Sequence, residues 1–191
     1  MVDAQTIGVL VTAASVTVAA VYYIMTLRVQ QTNMKANLET RQAQMLMNLY
    51  ERWNEPRFQN TWFETTYWEY SDYDDFMKKY YRTSNPEAYG KFMLIATFFE
   101  GIGVFVKRSL IDAALVDDMM SVYIIGFWGT FGPFIIEFRK RRIQPTYFEH
   151  VEYLYGVVHE IWKQQHPGAP ETLVGSWLRS ADSVDAKLGD V

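Results

Sequence analysis

One carboxylate stands out among the residues that could do chemistry. Glu100 lies inside an apolar stretch, residues 92–105, where an unpaired charge would be costly. A structural interpretation pairs Glu100 with Arg139 or Arg108, or with a Trp or Tyr that donates a hydrogen bond. A functional interpretation makes it a carboxylate of raised pKa in a ligand or substrate pocket, lined also by the glycine-broken segment 126–133.

A run of four basic residues is the second candidate. Arg139, Lys140, Arg141 and Arg142 follow a long uncharged stretch and are predicted to end a helix, where positive charge complements the helix dipole. A solvated helix end is the simpler interpretation. If the domain lies just beneath a bilayer, the same side chains would contact a partner or anionic lipid headgroups, each contributing roughly 1 kcal/mol.

Most other chemistries lack suitable residues in this sequence. The chain has no Cys, which excludes disulfides, thiolate zinc sites, iron–sulfur clusters and Cys nucleophiles. His150 and His159 are nine residues apart, on opposite faces of a helix, so both cannot bind one metal ion. Glu149, Glu152 and His159 lie closer to one face of that helix. No Glu-x-x-His pair, phosphate loop, catalytic triad spacing or dinucleotide fingerprint occurs. We therefore predict no catalytic residue, metal or cofactor, and the net charge of −4 gives no basic field for nucleic acid.

The N-terminal part of the chain has the properties of a membrane span. Residues 7–27 are apolar or small throughout, and 21 residues at 1.5 Å each cover about 31 Å, close to the roughly 30 Å of a hydrocarbon core. The hydroxyl groups in this stretch are expected to bond back to the helix. Tyr22 and Tyr23 fall near the membrane interface, followed by Arg28.

The charges beside this span predict its orientation. Only Asp3 precedes the span, whereas Arg28, Lys35 and Arg41 follow it, which places the N-terminus outside the cell membrane and the rest in the cytoplasm. A cleaved signal peptide is less consistent, because no Lys or Arg precedes position 28. A buried core helix is the other alternative, and the length of the uncharged run argues against it.

A helix without Pro or Gly is predicted to continue from the span to about residue 53. It carries an apolar stripe at spacings of seven and four, formed by Leu27, Met34, Leu38, Met45 and Leu49. We expect this stripe to lie on the following domain, with a second subunit as the alternative.

The remaining sequence predicts a helical bundle. Helices are expected at 57–70, 74–81, 86–107 and from Asp112 onward, with Ser84 or Asn85 capping the third, and at 147–165. Residues 119–136 form a second uncharged stretch. Its glycines and Pro133 are expected to break the helix, and residues 91–107 are too short to form a membrane hairpin with it, so both are interpreted as buried.

The predicted architecture is therefore all-α, with one N-terminal transmembrane helix that continues into a long juxtamembrane helix and then a cytoplasmic multi-helix bundle. The boundaries are 1–28 for the anchor, 29–55 for the juxtamembrane helix, 56–178 for the bundle, which ends in a short amphipathic piece at 170–178, and 179–191 for a polar tail.

One block of sequence carries a resemblance. The run Phe98-Phe-Glu-Gly-Ile-Gly-Val-Phe-Val-Lys-Arg-Ser-Leu-Ile-Asp112, continued by Trp128, Pro133 and Arg139, resembles an uncharacterised prokaryotic family of single-pass, membrane-anchored helical domains over residues 46–155. Ser109 departs from the Gly expected at that helix end, where a glycine would suit a left-handed cap. The resemblance implies the architecture and no particular activity.

Three functions follow from these residues. The leading hypothesis is a non-enzymatic interaction protein, an accessory or scaffold subunit of a membrane protein complex or a self-associating chain, because aromatic residues suit interfaces. The second is a ligand sensor or enzyme with a pocket around Glu100. The third is a module that responds to anionic lipid in the bilayer through Arg139–Arg142.

Overall fold

The computed structural model describes residues 3–168, which form six helices and no strand. The all-α class is thus confirmed. The predicted piece at 170–178 and the polar tail at 179–191 lie outside the described residues. The helices are α1 Ala4–Trp53, α2 Pro56–Thr66, α3 Tyr73–Lys79, α4 Pro86–Lys107, α5 Ala113–Arg142 and α6 Glu149–Gln165.

Helix α1 is continuous for 50 residues, because no proline interrupts it before Pro56 and good helix formers follow the apolar part. The hydroxyl groups of the apolar part donate to the carbonyl oxygen four residues earlier, as expected. These bonds run from Thr12, Ser15, Thr17 and Thr26 and measure 2.8–2.9 Å. The hydroxyls are therefore satisfied within the helix and do not oppose burial in lipid.

The chain divides into two compact units, one ending at Gln44 and the other beginning at Met45. In the first unit the apolar stripe is exposed: Leu27, Met34 and Leu38 keep 38%, 65% and 58% of their surface accessible. For these three residues, which belong to the first unit, the expectation that the following domain covers the stripe stays a prediction. In the second unit, Met45 and Leu49 pack against the hydrophobic core, as predicted.

Aromatic rings build the core of the second unit. Trp53, the last residue of α1, is almost fully buried and lies 4.8–5.6 Å, between ring centroids, from Trp62, Phe98, Phe99 and Tyr123. Helices α4 and α5 both pack on α6, whose core face consists of Val151, Leu154 and Val158, all fully buried. Such rings contribute large apolar area at low entropic cost, which explains the high aromatic content.

Helix α5 corrects one prediction. It runs unbroken from Ala113 to Arg142 with Pro133 inside it, so the expected break is wrong. Proline removes one helical hydrogen bond and costs about 3 kcal/mol. Three neighbouring rings on the same helix, Phe127, Phe131 and Phe134, are fully buried and offset that cost, since each burial contributes about 2–3 kcal/mol.

Three helices are long and apolar enough to cross a membrane by length and composition: α1 in its portion Ile7–Trp53, α4 and α5. The argument that the α4 segment is too short is therefore wrong, since α4 has 22 residues. The three helices differ in how much of the apolar window is buried. Among the described residues, none of the window of α1 is buried, whereas 39% of that of α4 and 50% of that of α5 are buried.

The helix ends of the bundle are set by local side chains. Asn85 Oδ1 accepts a hydrogen bond from the Ala88 amide at 3.1 Å, and Asp112 Oδ1 accepts one from the Ala114 amide at 2.8 Å. Both caps were predicted. At the end of α4, Ser109 adopts φ 54°, and the amide of Leu110 donates to the carbonyl of Phe105. A left-handed cap forms there with serine in place of glycine.

Candidate functional site

Glu100 lies on α4 at the point where the first turn of α6 meets that helix. Its Oε2 accepts a hydrogen bond from the backbone amide of Val151 at 2.8 Å, and its Oε1 lies 2.9 Å from Nδ1 of His150. Both carboxylate oxygens are thus engaged by α6. The side chain is mostly buried, with 23% of its surface accessible.

The first turn of α6 needs this acceptor. Phe148, at the N-cap position, has a left-handed backbone with φ 53° and supplies no side-chain hydrogen bond. The amide of Val151, the third residue of the helix, is one of the four donors that a helix start leaves without a partner. Glu100 accepts from that donor and places a negative charge near the positive end of the α6 dipole, so it serves as a cap from another helix.

Gly103 makes the close approach of the two helices possible. It lies three residues after Glu100, on the same face of α4. A Cβ atom at Gly103 would lie 2.6 Å from the carbonyl carbon of His150, which no real side chain tolerates. Gly101, two residues away, has open space around the same position. The pair Glu100 and Gly103 therefore forms a docking point for the start of α6.

The expected partners of Glu100 are elsewhere. Arg139 donates from Nε to the carbonyl of Tyr147 at 2.7 Å and from Nη2 to the carbonyl of Phe148 at 2.8 Å, and it pairs with Glu152. The predicted pairing of Glu100 with an arginine is therefore wrong. Four cavities in the described part of the chain, of about 280–610 Å³, are lined by other residues, and Glu100 lines none of these four.

The four basic residues at the end of α5 do not form one patch. Arg139 is largely buried and holds the α5–α6 connection in place. Arg141 pairs with Glu137 and Asp74 at 2.8 and 3.0 Å, and these contacts raise its pKa. Lys140 makes only an exposed contact to Glu137 at 3.8 Å, and Arg142 is exposed at the helix end.

The predicted membrane-interface residues remain accessible. Tyr22 and Tyr23 keep 72% and 64% of their surface exposed, and Arg28 is exposed one turn further along α1. Their positions on one continuous helix are compatible with rings at the edge of a lipid core and a guanidinium among headgroups.

Asp117 is a buried carboxylate that sequence reasoning missed. It is 3% exposed on α5, and its Oδ1 has no hydrogen-bond partner within residues 3–168. Burial raises its pKa, Asp118 adds to the rise, and a hydrogen bond from Gln165 opposes it. The sequence signal was weak, because two adjacent aspartates near the start of a helix are typical of a solvated first turn.

The sequence profile of a family described as a domain of unknown function, DUF4760, matches residues 9–156. This is well over half of the chain. The chain belongs to this family. The resemblance identified over residues 46–155 is thereby confirmed, and the DUF4760 match extends it to include nearly all of the apolar helix. Glu100, Gly103 and Arg139–Arg142 all lie inside the DUF4760 domain.

No curated protein and no solved structure matches the chain. Between residues 3 and 168, no group of three or more His, Asp or Glu side chains is placed to hold a metal ion. The DUF4760 fold brings Glu100 together with His150, which sequence reasoning did not connect, and separates Glu100 from Arg139.

Proposed function

We propose that this DUF4760 protein is a single-pass membrane protein that acts by binding another membrane protein, as an accessory or scaffold subunit without catalysis of its own. Its N-terminus lies outside and its bundle in the cytoplasm. The observation that carries the proposal is the exposed apolar stripe of α1, formed by Leu27, Met34 and Leu38.

The choice of α1 as the only span rests on burial. An uncharged apolar helix that no other part of the protein covers is stable in lipid and unfavourable in water. Helices α4 and α5 are partly covered by their neighbours and carry Glu100 and Asp117 against other protein groups, as helices of a water-exposed bundle do. The orientation follows from Asp3 before the span and Arg28, Lys35 and Arg41 after it.

Met34 and Leu38 of this stripe lie beyond the apolar segment, where lipid does not cover them. Residues 28–44 contain only three basic residues and one acidic residue, with many Gln, Asn and Thr. A helix of this composition is marginal alone in water, and most helical stability in proteins comes from packing of an apolar face. A second helix along Met34 and Leu38 would supply that packing.

The charges beside the stripe favour a different protein as the occupant over a second copy. Arg41 lies on the stripe itself and has no ion-pair partner among residues 3–168, and Lys35 has only an exposed contact to Glu39 at 3.9 Å. Two copies anchored in one membrane lie parallel, which would bring Arg41 against Arg41 and give it no acidic residue. We therefore propose a partner with an apolar helix face that carries Asp or Glu opposite Arg41.

Crosslinking in native membranes tests this proposal. Because the chain has no Cys, a single introduced cysteine is unique. Leu38→Cys places it on the stripe, and Ala36→Cys places it on the opposite face of the same helix, about 160° away. With a thiol-reactive photocrosslinker, we expect an adduct with another protein from Leu38→Cys and little or none from Ala36→Cys, and peptide mapping should locate it beside an acidic residue of a partner helix.

Other outcomes would contradict the proposal in distinguishable ways. An adduct of twice the mass of the chain would make the second copy the occupant. Equal adducts from both faces would show nonspecific collision. A chain that gives no adduct and migrates as a monomer from native membranes would rule out an interaction function. The change Arg41→Glu in the Leu38→Cys background should lower the adduct yield, since it reverses the charge that the partner is expected to match.

A further inference from the structure

A second feature, distinct from the stripe, is a pocket where four parts of the bundle meet. It has a volume of about 280 Å³. Arg82 enters from the turn after α3, Tyr89 from the first turn of α4, and Arg142 from the end of α5. Gln144 and Tyr147 come from the connection between α5 and α6.

The pocket concentrates positive charge that nothing nearby neutralises. Neither Arg82 nor Arg142 has an acidic partner within residues 3–168, in contrast to Arg139 and Arg141 on the same helix end. No Asp or Glu is among the residues that line the pocket. Arg82 makes a cation–π contact with the preceding tyrosine, with its Cζ 5.6 Å from the ring centroid. Two guanidinium groups at one cavity are suited to an anion.

Neutral donors complete the lining. The hydroxyls of Tyr89 and Tyr147 lie 3.1 Å apart and share one hydrogen bond, and the Tyr147 hydroxyl also lies 3.8 Å from Sδ of Met93. When Tyr147 donates to Tyr89, the Tyr89 proton is available to a ligand. Burial and the Tyr89 contact raise the pKa of Tyr147 far above its ordinary value, so this phenol stays protonated. The side-chain amide of Gln144 adds a further possible donor.

The backbone around the pocket is strained. Ile143, which separates Arg142 from Gln144, has φ 53°, and it is a β-branched residue with 88% of its surface exposed. Phe148, directly after Tyr147, also has φ 53°. Non-glycine residues in this region are strained and persist where the surrounding structure requires the conformation. The two bends flank Gln144 and Tyr147, which both line the pocket.

We propose that this pocket binds a phosphate group, carried by a small soluble ligand or by a lipid headgroup. Arginine forks donate two parallel hydrogen bonds to phosphate oxygens, and the phenol and amide donors fit the remaining oxygens. The volume is at the lower end for ligand sites and suits a phosphate with a small organic part. Arg142, one of the four basic residues singled out in the sequence, acts here with Arg82 rather than with its neighbours in the chain.

The test uses the full chain in detergent with inorganic phosphate as the probe, followed by the full chain in nanodiscs with and without phosphatidic acid. Binding is measured by calorimetry and by the melting temperature. We expect Arg82→Gln and Arg142→Gln each to weaken phosphate binding at least tenfold. The control Arg108→Gln removes an exposed arginine at the other end of α4, roughly 28 Å along that helix, and should change the affinity less than twofold.

The arms separate the two sources of the phosphate. Binding of inorganic phosphate that depends on Arg82 and Arg142 supports a soluble ligand. Dependence that appears only with phosphatidic acid supports a headgroup. Affinities in both arms that are equal for the wild type, Arg82→Gln and Arg108→Gln would overturn the proposal, as would no binding in either arm. If Arg142→Gln alters the helix end, Arg82→Gln, which lies in a turn, carries the test alone.

Discussion

The two compact units of this chain contrast in how their apolar residues are covered. Among the side chains described from Asp3 to Gln44, none is buried, although the segment is largely apolar. From Met45 onward, 30 hydrophobic residues form one buried cluster. The second unit therefore gains its stability from contacts within the chain, whereas the proposed function has the first gain it from lipid and a partner helix. The stability of the bundle should respond to core substitutions and not to substitutions on the part of α1 that precedes Met45.

Replacing a leucine by alanine in each unit should give the largest difference in the free energy of unfolding. Leu154→Ala removes a fully buried side chain from α6 and should lower the free energy of unfolding by about 4 kcal/mol, whereas Leu38→Ala should change it by less than about 0.5 kcal/mol. Urea unfolding of the full chain in mild detergent, followed by Trp fluorescence, measures both. A large loss for Leu38→Ala would mean that the stripe is covered within the chain.

The docking point of α6 allows a second comparison, between two glycines of α4 inside the bundle. Gly103→Ala should cost about 3 kcal/mol, because its Cβ would overlap the backbone of His150. Gly101→Ala, two residues away on the open side, should be neutral or stabilising by up to about 1 kcal/mol, since Ala favours helix more than Gly. Melting temperatures of the two full-length variants compare them. Equal effects would show that α4 and α6 do not approach closely at Gly103.

Loss of the cap that Glu100 provides to α6 is expected to have a smaller effect on the stability of the protein. Glu100→Ala leaves the Val151 amide without its acceptor and should cost about 2 kcal/mol, while Glu100→Gln keeps one acceptor oxygen and should cost about half of that. The control is Glu87→Ala, an exposed residue of the same helix, which should cost under about 0.5 kcal/mol. A Glu100→Ala variant as stable as this control would contradict the capping role.

The smallest expected effect on stability comes from Asp117, and it depends on pH. Burial raises the pKa of Asp117, so folding is most favoured where Asp117 is protonated, below the ordinary Asp pKa of about 3.9, and this advantage is lost as pH rises through the raised value. Asp117→Asn should therefore stabilise the protein at pH 7, on the order of 1 kcal/mol, and progressively less as the pH falls. Glu51→Gln, at an exposed position of α1, is the control in pH-resolved unfolding.

Local signals in the sequence predicted what is decided locally. Residues a few positions apart decide three features: the caps at Asn85 and Asp112, the order of the first four helices, and the hydroxyl bonds within α1. The sequence did not predict the unbroken α5, because the burial of Phe127, Phe131 and Phe134 outweighs the local effect of Pro133 and depends on helices far along the chain.

The partner of Glu100 was missed for a different physical reason. A charged side chain in an apolar helix suggests a charged partner, and Arg139 was available. The group on α6 that donates to Glu100 is the backbone amide of Val151, and no residue type marks such a donor in a sequence. The usable signal was Gly103 three positions after Glu100, since a small residue on the same face allows another backbone to approach.

The cap that Glu100 provides to α6 also bears on how the chain is made. Val151 leaves the ribosome 51 residues after Glu100, about 3–10 s later. During that interval the face of α4 that packs on α6 is exposed and water solvates Glu100, because the first turn of α6 has not yet formed. A nascent or truncated chain that ends before His150 therefore leaves this apolar face accessible to chaperones and proteases, and the arrival of α6 covers it.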